Sequence, residues 1–137
     1  MKILIKKTWG FSLLELMIVI AVIAITLAWA IPSYQDSVRK ARRGEAQSLM
    51  RQAEVCAARW FTVNATFVGL EGDDDCEPKD DDYYTYTFSS VIQSAYIITA
   101  APQGSQIEDK CGTMTMDQTG TTEAAATGCW LSGQTSR

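Results

Sequence analysis

Residues 11–31 form a nearly unbroken apolar run of 21 positions in which only Ser12, Glu15 and Thr26 are polar. At about 1.5 Å of rise per residue, a helix of that length roughly matches the hydrocarbon core of a bilayer, so the run is expected to span a membrane. Beyond it the pattern becomes amphipathic. From Val38 onward Ala46, Leu49, Ala53, Cys56, Ala57 and Trp60 recur at helical spacing, while Arg51, Glu54 and Arg59 take other faces. Together the two stretches predict one helix from about residue 11 to about residue 60, roughly 75 Å long, of which only the second half needs a soluble partner. Pro32 lacks an amide hydrogen and its ring crowds the carbonyl of Ala28, so the helix is expected to kink or open there without having to stop. Gly44 weakens the second half by roughly 1 kcal/mol relative to alanine.

The periodicity vanishes between residues 61 and 82, where Gly69, Gly72 and Pro78 join an acid-rich stretch that reads as an exposed loop. From Tyr83 the code changes to strand. Residues 83–90 are rich in aromatic and β-branched side chains, residues 95–101 and 111–117 follow with similar composition, and turn-like residues at 103–105 and 118–120 punctuate them. Three or four antiparallel strands on the amphipathic half-helix would bury both apolar faces, giving an α+β head on a helical stalk.

Charge is segregated along the chain. Lys2, Lys6 and Lys7 precede the apolar run, and past residue 10 the chain carries nine Lys and Arg against 16 Asp and Glu, a net charge of −7. So acidic a chain is not a general nucleic-acid binder, although a local basic patch is compatible with it. Arg39, Lys40, Arg42 and Arg43 form a dense basic turn just past the run that a functional reading would make a DNA or lipid-headgroup site; they are expected instead to anchor at the interface or to bridge neighbouring chains, with DNA contact the weaker reading, and Lys79, Lys110 and Arg137 are too few and too scattered to make a nucleic-acid patch on the head. With Lys and Arg on both flanks, the positive-inside rule does not set the orientation.

The chain contains no histidine, which removes a His base, a His metal ligand and Ser-His or Cys-His nucleophile pairs. Neither an enzyme nor a cofactor is expected. Asp73, Asp74, Asp75, Glu77, Asp80, Asp81 and Asp82 are hard oxygen donors but form no EF-hand loop, and the expected reading is a solvated acidic loop with no metal. Trp60, Phe61 and Phe67 are expected in the core of the head. The four cysteines, Cys56, Cys76, Cys111 and Cys129, suggest two disulfides in an exported head and allow three pairings; no C-x-x-C spacing favours zinc.

An ordinary cleaved signal is the first rival, since Ala28-Trp29-Ala30 imitates a small-residue cleavage site and would release a soluble binding domain starting at Ile31. Glu15 opposes it, because a carboxylate in hydrocarbon costs on the order of 3 kcal/mol unless it finds a partner. The stretch Lys6-Lys7-Thr8-Trp9-Gly10-Phe11-Ser12-Leu13-Leu14-Glu15-Leu16 resembles the processing signal of type IV pilins and the related pseudopilins. That resemblance implies cleavage after Gly10 by a prepilin peptidase, methylation of the new N-terminus at Phe11, and retention of the apolar helix as anchor and filament core. It also gives Glu15 a role: its carboxylate pairs with the cationic amine that cleavage creates at Phe11 of a neighbouring subunit.

The resemblance extends to the tail, where residues 111–120 and Gly128-Cys129-Trp130 are similar to the C-terminal region of small minor pilins. It implies the type IV pilin fold and a Cys111–Cys129 disulfide; Cys56 is expected to pair with Cys76, tying the acidic loop to the helix. Each bond would constrain about 20 residues and contribute roughly 3 kcal/mol. The implied organisation is a cleaved leader at 1–10, a transmembrane and filament-core half-helix at 11–35, and an α+β head at 36–137.

The implied function is that of a structural subunit of a type IV pilus, preferably a minor pilin that primes or caps assembly and supports twitching motility, adhesion or DNA uptake. A major pilin and a type II secretion pseudopilin share the anchor. The expected partners are other pilin subunits, the prepilin peptidase and the inner-membrane assembly machinery, with the subunit single-pass in the inner membrane before assembly and extracellular afterwards. Pro32 is assigned an assembly role, letting the stalk deform on extraction.

Overall fold

The computed structural model describes residues 10–130; most of the expected leader, with Lys2, Lys6 and Lys7, and also Arg137 lie outside them. Two compact units divide between Ser37 and Val38. A single helix, α1 (Leu13–Asn64), runs 52 residues and contains Pro32 without interruption.

In the first unit the carbonyl of Ser12 accepts the amides of Glu15 and Leu16 at 3.0 and 3.2 Å, starting the helix. The helix that follows contains an 18-residue window of mean hydropathy 2.6, none of it buried, long and apolar enough to cross a membrane. The Thr26 hydroxyl donates to the carbonyls of Val22 and Ile23 at 2.7 and 2.9 Å. The hydroxyl is therefore satisfied inside the helix, as a lipid or protein surrounding requires.

In the second unit α1 buries Arg43, Ala46, Gln47, Met50, Ala53 and Ala57, a stripe at intervals of three and four. It ends at Ala65, whose φ of 55° turns the chain out of the helix. Four strands follow, β1 (Tyr84–Ile92), β2 (Ala95–Pro102), β3 (Met114–Asp117) and β4 (Thr122–Glu123), in an antiparallel meander of order β1-β2-β3-β4. The chain is thus α+β, a long helix with a small antiparallel sheet.

Alternation along the strands builds the core. Tyr84, Tyr86 and Phe88 of β1, Tyr96, Ile98 and Ala100 of β2, and Met114 and Met116 of β3 are buried, while most of the residues between them are not. The register puts Phe88 opposite Ile98 and Ile98 opposite Met116, then Tyr86 opposite Ala100 and Ala100 opposite Met114. Small Ala100 between Tyr86 and Met114 lets the layer close beneath the helix, and all of these residues share one cluster with Ala46, Met50, Ala53 and Ala57.

Two boundaries shift from the sequence pattern for local reasons. Tyr83 stays outside β1, whose pairing with β2 begins at Tyr84 opposite Pro102, and Asp81 Oδ1 accepts the amides of both Tyr83 and Tyr84 at 2.7 Å. The third strand opens at Met114 because the amide of Gly112 returns to the carbonyl of Asp109 at 3.0 Å, in a turn that Gly112 completes at φ 53°. Of the three aromatics expected in the core, Trp60 and Phe67 pack against it, whereas Phe61 stays 39% exposed beside the Phe67 ring at 4.7 Å. Phe61 lies past Ala57, the last buried residue of the helix, where the stripe no longer faces the core.

Candidate functional site

The chain presents two separate sets of functional candidates, one in each compact unit. In the first unit Gly10, Phe11, Ser12 and Glu15 are all exposed, as is every large apolar side chain from Leu13 to Ile31 that the helix displays, with Phe11 at 78% and Trp29 at 81%. An uncovered apolar helix of this length is stable only when lipid or other helices surround it. Glu15 sits in its first turn with no partner among the described residues, where a neighbouring cation is the favourable neighbour.

In the second unit the basic turn is largely consumed by the head itself. Arg39 pairs with Glu108. The Arg42 guanidinium donates to Ser105 Oγ at 2.8 Å and lies 3.6 Å above the centre of the Tyr83 ring. Arg43 is buried, donates to Cys111 Sγ, and sets its Nε 3.5 Å from Asp109 Oδ2. Gln106, fully buried, spans Tyr84 Oη at 3.1 Å, the Arg39 carbonyl at 3.1 Å and Asp109 Oδ2 at 2.9 Å. Of the four residues expected to reach outward, Lys40 alone is fully exposed; the other three fasten the loop at 104–111 to α1.

Two disulfides complete the fastening, Cys56–Cys76 and Cys111–Cys129, with sequence separations of 20 and 18. Neither is free to act as a nucleophile, and no cysteine is unpaired.

The acidic loop is not merely solvated. β1 is an edge strand, and its outward amides at Tyr84, Tyr86 and Phe88 are each taken by a loop carboxylate: Asp81 Oδ1 at 2.7 Å, Asp80 Oδ1 at 2.8 Å and Glu77 Oε1 at 3.3 Å. Asp73 caps its own turn through the amides of Asp75 and Cys76. These carboxylates are engaged by backbone donors, and among the described residues no group of three or more acidic or sulfur ligands is arranged to hold a metal. Asp74, Asp75 and Asp82 remain exposed.

Burial governs the titration of the head tyrosines. It pushes the hydroxyls of Tyr84 and Tyr86 up, with nearby Asp81 adding to the effect, and raises Tyr96 to about 12. At Asp117 burial disfavours the charge, but hydrogen bonds from Thr119 and Thr121 outweigh it and hold the carboxyl below its usual range.

Residues 10–31 match the prokaryotic N-terminal methylation motif, and residues 32–115 match the family described as type IV minor pilin ComP, DNA uptake sequence receptor. A fimbrial protein of Pseudomonas aeruginosa is 35% identical over 123 residues, an alignment covering 89% of this chain and 69% of that one. The chain belongs to the type IV pilin family. The family is structural, not enzymatic. A second match, the fimbrial protein EcpC of Eikenella corrodens, is 55% identical over 40 residues, 29% of this pilin and 26% of that one.

Two solved structures share the fold. A type IV pilin from Shewanella oneidensis superposes with a TM-score of 0.56 at 22% identity, covering 68% of this pilin and 98% of that chain. The non-core minor pilin PilV of Neisseria meningitidis gives 0.54 at 22% identity, covering 73% and 99%. As a family member this pilin assembles with other pilins, and its apolar helix suits membrane anchoring and the filament interior.

Proposed function

We propose that this pilin is a minor subunit of a type IV pilus that serves DNA uptake, processed by cleavage after Gly10 and methylation of Phe11. The match of residues 32–115 to the minor pilin ComP family, described as a DNA uptake sequence receptor, carries this reading. The uncovered helix supports the assembly half of it, since subunits that exchange lipid for one another's helices bury the exposed side chains between Phe11 and Ile31. In the assembled state Glu15 pairs with the amine of a neighbour's Phe11, a contact whose loss strands two charges in an apolar surrounding. The subunit waits single-pass in the inner membrane and leaves it on assembly, with Pro32 marking the turn that lacks a backbone hydrogen bond and yields on extraction.

Deleting the chain in its own host tests the DNA half directly. The expected outcome is a loss of DNA uptake with filaments still produced, restored by the intact chain, and a chain that is scarce in sheared pili. Unchanged uptake would remove the DNA reading and leave the pilin; dominance of the chain in the pili would make it the major subunit, primed or capped by others.

A further inference from the structure

The two disulfides stand in opposite electrostatic surroundings. Cys76 is flanked by Asp73, Asp74, Asp75 and Glu77, and its amide is held by Asp73 Oδ1 at 3.1 Å. Arg59 and Lys79, each three positions from a cysteine of this bridge, are exposed, so water screens them. The Cys111–Cys129 bridge instead faces cations. The Arg43 guanidinium, 8% exposed, donates to Cys111 Sγ, and exposed Lys40 joins Arg43, Gly128 and Cys129 around a recess of about 260 Å³. The carboxylate at this site, Asp109, is already engaged: Oδ2 lies 3.5 Å from Arg43 Nε and accepts Gln106 Nε2 at 2.9 Å, while Oδ1 accepts the Cys111 amide at 3.3 Å. Tyr84 reaches the site only through Gln106, at 3.1 Å.

A disulfide sulfur is a weak acceptor, so a buried guanidinium gains little by donating to it. The same N–H makes a charge-assisted bond once that sulfur is a thiolate, and a sulfur stabilised as thiolate leaves faster in thiol exchange. The Arg43 donor thus suits the open bridge better than the closed one. Exposure points the other way. Cys111 is fully buried and Cys129 only 4% exposed, whereas Cys56 is half-buried, so accessibility alone would open Cys56–Cys76 first.

We infer that the Cys111–Cys129 bridge is a thiol-exchange site, at which an external thiol attacks Cys129 and Arg43 receives Cys111 as the leaving thiolate. The attacking thiolate bonds to Cys129 Sγ as the bond to Cys111 breaks, and the electron pair of the broken bond leaves on Cys111 Sγ beside Arg43. The external thiol becomes half of a mixed disulfide, and the reverse step recloses the bridge. Cys129 is the point of attack because it lines the recess, where Lys40 favours an anionic thiolate, while Cys111 lies inside. The opened segment stays tied: Gln47 Nε2 donates to the Cys129 carbonyl at 2.8 Å, the Ala125 amide to the Cys111 carbonyl at 3.1 Å, and Trp130 Nε1 to the Glu123 carbonyl at 3.2 Å. The C-terminal loop is then the redox-responsive part of the head, and the bridge to the acidic loop the permanent one. This inference rests on the head alone and stands apart from the filament and DNA-uptake readings.

Limited reduction of the detergent-solubilised chain with reduced glutathione near neutral pH, trapped with N-ethylmaleimide and read by peptide mass spectrometry, tests the order of opening. The expected first product carries glutathione on Cys129 and maleimide on Cys111, with Cys56–Cys76 intact, and uncharged 2-mercaptoethanol opens the bridges in the same order. Arg43→Met slows opening of Cys111–Cys129 about tenfold relative to Cys56–Cys76 in the same molecule, and Arg43→Lys restores most of the difference. If Arg43→Met loosens the whole head so that both bridges open together, the order in the parent chain still decides. The inference is overturned if the parent opens Cys56–Cys76 first or both bridges at one rate, or if glutathione lands on Cys111. It is equally overturned if Arg43→Met opens Cys111–Cys129 as fast as the parent while Cys56–Cys76 stays closed.

Discussion

The carboxylate of Asp80 accepts the backbone amide of Tyr86 at 2.8 Å, standing where the next strand of the sheet would stand. Together with Asp81 on Tyr84 and Glu77 on Phe88, it closes the outward row of donors on the edge strand β1. An open edge pairs with any passing strand, which in a protein concentrated into a membrane and then a filament is a direct route to misassembly.

Replacing Asp80 and Glu77 together by alanine removes two of the three caps. The expected result is a head less stable by about 2 kcal/mol, with faster aggregation, since each carboxylate bond to an amide is worth about 1 kcal/mol on a surface open to water. Urea unfolding of the detergent-solubilised protein and light scattering measure the two effects. Asp74→Ala and Asp75→Ala, whose carboxylates cap no strand, should change neither.

Arg43 lies on the buried stripe of α1 between Asp109 and the Cys111 sulfur. Arg43→Met keeps most of the volume but leaves Asp109 buried without its cation, for an expected loss of about 3 kcal/mol. Arg42→Met, at the half-buried Tyr83 contact, should lose about 1 kcal/mol or less. The difference between the two midpoints in chemical unfolding checks the assignment of Arg43 to the interior.

How far the sequence carries depends on the residue. Ala46, Ala53 and Ala57 of the half-helix stripe and the strand character of residues 83–90 are plain in the pattern because burial repeats with the period of each element, whereas the pattern puts Leu49 and Cys56 on the stripe and the structure half-buries them and buries Met50 instead. The burial of Arg43 was also readable: at three and four positions before Ala46 and Gln47 it falls on the same stripe, a signal overridden by its charge and its basic neighbours. The edge cap was not readable. Asp80 bonded to an amide and Asp74 facing water are the same letter in the same loop, and only the register of β1 against β2 decides which amides face outward.

The tyrosines give the head an alkaline limit. Burial raises the folded-state pKa of Tyr84 and Tyr86, and that of Tyr96 to about 12, against an unfolded value of about 10. The folded state thus holds these protons more tightly, so the stability they contribute is full below about pH 10 and is lost as pH rises through the folded values. Circular dichroism and tyrosinate absorbance, followed together from pH 9 to 12.5, should show ionisation of these residues coinciding with unfolding. Tyr96→Phe should move the alkaline transition upward.

The N-terminus and intact mass of the chain recovered from its native membrane or from sheared pili, without reduction, bear on the pilin reading more directly than any variant. The expected chain begins at N-methylated Phe11 and weighs four hydrogens less than its reduced form, for the bonds Cys56–Cys76 and Cys111–Cys129. A soluble chain beginning at Ile31 would contradict it, because the helix that should anchor and pack the subunit would have been discarded with the signal.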